Sequence, residues 1–231
     1  MEKPIFKKIT EEERRVTKFH QLFKYQEIMD DLAQSTRKDG WSPRQKTITD
    51  VCYALQDEIC ELTRELPSFM NFKVWKRHQY DQNKEFLEFI DILFFTFTLV
   101  NYIGEADYLD TEFRIKELFC ANKFRDTISG KEKAISDDLD VRTLIDLVRC
   151  HVSEISIIAQ VQSNKEKAKA DDILIPEYKL MRSISIETRL TKIFELLGEI
   201  GNKLGYTLEQ VVDGYIDKYN QNIERIEKDW A

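Results

Sequence analysis

The stretch KEFLEFIDILFFTFTLVNYIG, residues 84–104, decides the fold. Phe86, Leu87, Phe89, Ile90, Ile92, Leu93, Phe94, Phe95, Phe97, Leu99 and Val100 make it apolar nearly all round. A helix of that profile belongs in the middle of a bundle. Glu88 and Asp91 interrupt the run at a spacing of three, which puts both carboxylates on one helix face. An ionised carboxylate among Phe and Ile is costly unless a partner compensates it, and two on one face also repel. Within one turn only Lys84 carries a positive charge. The compensating cation therefore comes from outside the helix, as a metal ion or as a basic side chain of another helix. An all-carboxylate set favours a hard ion, Mg²⁺ or Mn²⁺.

Upstream, the spacing predicts a helix from about Thr47 to Leu66, stopped by Pro67. Its core stripe is Ile48, Cys52, Leu55, Ile59, Leu62 and Leu66. Beside it run Val51, Ala54, Glu58, Glu61 and Glu65. Glu58 and Glu61 repeat the three-residue spacing, although such a pair alone is as readily a solvated face. An aromatic, basic connection, SFMNFKVWKRHQYDQN, joins the two helices.

Further out, Thr10-x-x-Glu13 is a capping box that predicts a helix running to about Lys38. Val16, Phe19, Phe23 and Ala33 form its apolar stripe, with Gln26 and Asp30 interrupting it. Later helices are predicted near 110–128, 137–163, 183–203 and 207–228, the last opened by a second capping box, Thr207-x-x-Gln210. Residues 164–177 are expected to be an exposed connection broken at Pro176. In the last helix Lys218, Asn222 and Arg225 fall on one face, a row suited to phosphate because Arg binds it in a fork. No strand or repeat is evident. The expected architecture is all-α: one helical bundle domain over 1–231, with 105–203 as a candidate helical insertion.

Composition supports this. Seven Gly and four Pro in 231 residues are few for a turn-rich β fold. The net charge of −7 argues against a backbone-gripping nucleic-acid binder. The four cysteines form no CxxC, so free thiols in a cytoplasmic setting are expected. The first residues, MEKPIFKKITEEERR, lack the apolar core of a signal peptide, and no uninterrupted apolar run is long enough for a bilayer. None of His20, His78 and His151 follows a Glu at the spacing that di-iron bundles require, and no His-Asp dipeptide marks a histidine-based phosphohydrolase.

Taken in order, these motifs resemble the all-α nucleoside triphosphate pyrophosphatases, the superfamily of MazG-like proteins and dimeric dUTPases, and are nearest to the latter. LFKYQEIMDDL matches the opening motif, where Gln26 is the uracil-reading position. ALQDEICELTRE with FKVWK matches the first metal motif and its trailing segment, and Glu88-x-x-Asp91 the second. GYIDKYNQNIERIEKDW matches the phosphate motif through Tyr215, Lys218, Asn222 and Arg225. The resemblance spans about 15–103 and 205–230.

It implies a homodimeric hydrolase that converts dUTP, and also dUDP, to dUMP with Mg²⁺. Glu58, Glu61, Glu88 and Asp91 would hold the metal, and Glu58 would activate water. Gln26, Asp30, Trp75, Lys76, Asn101, Lys218, Asn222 and Arg225 would contact substrate, Trp75 by stacking on the base. Neither nucleic acid nor membrane is an expected partner. Asp30 replaces an Asn, and Phe94 a His, that many members carry; both departures bear on base specificity. The alternatives are a dCTP/dUTP or broader MazG-like pyrophosphatase, and a non-catalytic helical interaction protein.

Overall fold

The computed structural model describes residues 7–35, 47–68, 79–105, 117–135, 138–167 and 175–228. Among them the regular structure is helical. The α-helices are α1 (Glu11–Val16), α2 (Leu22–Ser35), α3 (Ile48–Glu65), α4 (Gln82–Glu105), α5 (Glu117–Ile128), α6 (Val141–Lys167), α7 (Ile175–Lys203) and α8 (Leu208–Glu227). A short 3-10 helix, Phe19–Gln21, precedes α2.

α4 is the central element, packed against α2, α3 and α8. Phe89, Ile90, Leu93, Phe97 and Leu99 along it are fully buried. Within Gln82–Ile103 an 18-residue window has a mean hydropathy of 1.7, enough by length and composition to cross a membrane, yet 61% of that window is buried inside the bundle. α3 lies along α4 with its predicted stripe, Ile48 to Leu66, buried. α6 covers the other side of α3, and α7 packs on α5 and α6.

Local chemistry sets the helix ends. Thr47 caps α3 by accepting the Asp50 N–H while the Asp50 carboxylate accepts the Thr47 N–H, and Thr207 and Gln210 do the same for α8. At the end of α7, Gly205 takes φ +81° and the Tyr206 N–H reaches the Gly201 carbonyl at 2.9 Å, a Schellman closure that glycine makes without strain.

Two sequence expectations need correction. The first helix does not run from Thr10 to Lys38: it stops at Val16, because Thr17 is extended (φ −69°, ψ 129°) and turns its hydroxyl back to the Glu13 carbonyl. The break drives Phe19 into the core, where it stacks on Phe124 at 4.3 Å, and leaves Val16, the supposed first member of the stripe, 71% exposed. Likewise, residues 164–167 continue α6, 168–174 of the expected connection lie outside the described residues, and Pro176 is no breaker. It sits in the first turn of α7, where a missing N–H costs nothing and a fixed φ suits the helix. Of the cysteines, Cys52 and Cys120 are buried, Cys60 is half-buried, and Cys150 is exposed.

α5 and α7 approach each other closely at Gly198. A Cβ on Gly198 would stand 2.7 Å from the Phe124 carbonyl oxygen and 2.9 Å from Thr127 Cβ. Both neighbours belong to a packed helix and cannot simply move aside. Gly198→Ala is therefore expected to destabilise the fold by about 1–3 kcal/mol, as overpacking does, read as a lower urea midpoint. An unchanged midpoint would mean the helices separate at little cost.

Candidate functional site

Three of the four predicted acids converge. Glu58 on α3 and Glu88 and Asp91 on α4 each present an oxygen, and these oxygens lie within 4.8 Å of one another. The spacing follows from the two helices lying side by side with each acid on the edge of its buried stripe. Glu61 lies outside this trio. It is half exposed, 3.9 Å from Arg64, but near enough for its charge to act on both Glu58 and Glu88.

Burial first, then the charges of Asp91, Glu61 and Glu88, pushes the Glu58 carboxyl up to about 7. Burial, Asp91 and Glu61 push Glu88 up to about 7 as well. Burial also raises Asp91, against the pull of Lys218 and Arg225. The Lys218 ammonium sits 2.6 Å from Asp91 Oδ1 and donates to Oδ2 at 2.7 Å. Both cations come from α8, so part of the compensation the central helix requires is a lysine of another helix. What remains is a cleft of hard oxygen donors, half-buried and short of positive charge. That donor set fits a divalent cation.

α8 presents two different faces. At about 3.6 residues per turn, Tyr215, Lys218, Asn222 and Arg225 share one face, from which Lys218 and Arg225 act on Asp91. Asp213, Asp217, Asn220 and Glu224 point the other way, toward the N-terminal segment. There Asn220 Oδ1 accepts the Ile9 N–H at 2.8 Å and its Nδ2 donates to the Ile9 carbonyl at 3.0 Å. Lys8 pairs with Glu224, and Arg14 with Asp217.

Gln26 is buried in a closed network between α2, α4 and α8. Its Nε2 donates to Asp30 Oδ1 (3.1 Å) and Thr98 Oγ1 (3.0 Å), and its Oε1 accepts the Tyr215 hydroxyl (2.6 Å). The Thr98 hydroxyl donates to Asp30 (3.1 Å). Phe94 stacks on Tyr215 at 4.2 Å, fixing that ring. Asn101 follows Thr98 along α4, and its Nδ2 is buried with no hydrogen-bond acceptor among the described residues. Trp75 and Lys76 lie outside the described residues.

Two polar groups escaped the sequence reading. Thr98 was legible only as a hydroxyl in an apolar run. Glu85, one turn before Glu88, is 1% exposed; it accepts from the hydroxyls of Tyr206 (2.8 Å) and Tyr80 (3.2 Å). Burial pushes its carboxyl up and those hydroxyls hold it down. Its three-residue step to Glu88 was the available signal.

A family profile described as dUTPase matches residues 18–230, a range that includes 105–203. No curated protein and no solved structure matches the chain.

The raised acids make stability depend on pH. A carboxyl near 4.5 when unfolded and near 7 when folded favours the fold while protonated, and that contribution disappears as pH rises through about 7. In chelator, the melting temperature should fall between about pH 5 and 7.5. Glu88→Gln should flatten that fall and melt higher at the upper pH. Equal slopes for the two proteins would show that crowding of these acids does not limit stability.

Proposed function

This chain belongs to the all-α dUTPase family, and from that premise we propose that it hydrolyses dUTP to dUMP and pyrophosphate, and dUDP to dUMP and phosphate, with Mg²⁺ or Mn²⁺. The observation that supports this most directly is the meeting of Glu58, Glu88 and Asp91 with Lys218 on the cleft side of α8. Acids that gather hard cations thus face cations that suit phosphate, as a nucleoside triphosphate requires.

In this reading Glu58, Glu88 and Asp91, joined by Glu61 at the cleft edge, hold the divalent ions. Such ions neutralise the phosphate chain and polarise the attacked phosphorus. Glu58, raised to about 7, is poised to take a proton near neutrality. The water oxygen bonds to the α-phosphorus, the bond from that phosphorus to the bridging oxygen breaks, and the water proton passes to Glu58. Lys218 and Arg225 receive the charge that builds on the departing phosphates, with Asn222 beside them. Lys218 balances Asp91 in the free chain. Trp75, Lys76 and Asn101 complete the substrate contacts, and a homodimer is the working form.

One observation favours a second reading in which dCTP is also accepted. Asp30, where many members of the family carry Asn, gives the Gln26 network a carboxylate that accepts from Gln26 and Thr98 and, when ionised, cannot donate. An acceptor suits the exocyclic amine of cytosine better than the carbonyl of uracil.

A panel of dUTP, dCTP, dTTP and dATP with Mg²⁺ tests both. Turnover confined to dUTP sustains the first reading, comparable dCTP turnover the second, and equal use of all four defeats both. Glu58→Gln should lower kcat by about a hundredfold or more, the scale of general-base catalysis. No measurable turnover by the wild-type chain would instead point to a non-catalytic interaction protein. A further expectation concerns Lys218: since it competes for Asp91, Lys218→Met should bind Mn²⁺ severalfold more tightly without nucleotide, seen by electron paramagnetic resonance, while losing turnover. Weaker Mn²⁺ binding would contradict the competition.

A further inference from the structure

A second cavity of about 560 Å³ lies on the side of α8 opposite the carboxylates. Its floor is apolar: Phe19, Ala121 and Val212 are buried, and the Phe19 ring is held flat against Phe124. Among the described residues, the cations Arg14, Arg15, Lys18 and Arg125 stand around it, with His20 beside them. Arg14 and Arg125 are fixed by Asp217 and Asp126. Arg15 and Lys18 are exposed, and among the described residues neither forms an ion pair. The first turn of α8 borders the cavity through Leu208 and Glu209, and a helix start favours negative charge. Among the described residues, the acids of the lining are Glu209 and Asp213.

We propose that this groove binds a small phosphate-bearing molecule of nucleotide size, at a site separate from the carboxylate cleft. Collecting cations in a chain of net charge −7 suits an anionic ligand, and Arg15, Lys18 and Arg125 can receive its phosphates. The apolar floor suits a ring. Glu209 and Asp213 can accept from the N–H groups of an amino-bearing base, so the lining favours a ligand charged at one end and donating at the other. The volume is in the range of small-molecule sites, about 300–1,000 Å³. The groove's basic wall lies on the N-terminal segment, which Asn220, Glu224 and Asp217 strap to α8. That segment exists as a wall only because the chain breaks at Thr17.

The test is calorimetric titration of the full chain in EDTA with inorganic tripolyphosphate and with dATP. Without metal the carboxylate cleft repels both ligands, so heat reports on the groove, and the result does not depend on whether the chain hydrolyses dUTP. Saturable one-to-one binding is expected, with dATP about tenfold tighter than tripolyphosphate. Arg15→Glu combined with Lys18→Glu should weaken both by about tenfold or more and leave Mg²⁺-dependent turnover unchanged. Because those side chains are exposed, the fold should survive; Arg125→Glu on the opposite wall gives an independent second variant with the same expected loss. No saturable binding of tripolyphosphate, or binding that neither variant weakens, overturns the site. dATP binding no tighter than tripolyphosphate overturns its assignment to a nucleotide-sized ligand.

Discussion

The molecule is organised around the cost of placing charge on its most apolar helix. α4 has to be buried because of its phenylalanines, yet Glu85, Glu88 and Asp91 lie along one of its edges. Each acid is handled differently. Glu85 is enclosed and held by two tyrosine hydroxyls. Asp91 receives an ammonium from α8. Glu88 is left beside Glu58 with a raised affinity for protons. The third treatment leaves an unmet demand for positive charge at the cleft. A buried pair satisfied wholly within the protein would hold the fold equally well but would offer nothing to a ligand.

α8 is the second organising element, because its two faces carry different tasks. The face with Tyr215, Lys218 and Arg225 completes the cleft and locks Gln26. The opposite face holds the N-terminal segment and borders the basic groove. Gly214 makes the helix seat closely on α4, since a Cβ there would lie 2.6 Å from the Phe86 ring. Both faces are therefore held at a fixed distance from the central helix.

Much of this was legible in the sequence because it rests on local periodicity. The α3 stripe, the all-round apolar α4 and the capping boxes at Thr10 and Thr207 depend on residues within a few positions of one another. The order of the carboxylate pairs and the α8 row was equally readable. What was hidden depends on distant partners. Nothing near Val16 signals in the sequence that the helix ends there; the break at Thr17 goes with the packing of Phe19 against Phe124, more than a hundred positions away. Lys218 read as a phosphate ligand, but its partner in this structure, Asp91, is 127 positions away. Gln26 read as an open base contact, whereas three side chains from α2, α4 and α8 already occupy its amide. The groove was illegible for the same reason: its cations come from two separate stretches of chain.

The amide of Asn220 has a consequence for how the leading segment tolerates change. By accepting from the N–H and donating to the C=O of Ile9, it reproduces one rung of a β-ladder with a side chain in place of a second strand. A peptide group engaged in that way is recognised through its backbone, which every residue except proline supplies in full. Position 9 is thus free to drift among apolar residues able to fill the same buried space, whereas position 220 admits no substitute lacking a carboxamide of that length. Variation along this contact should be lopsided, with the burden of specificity on the helix and almost none on the strand it imitates.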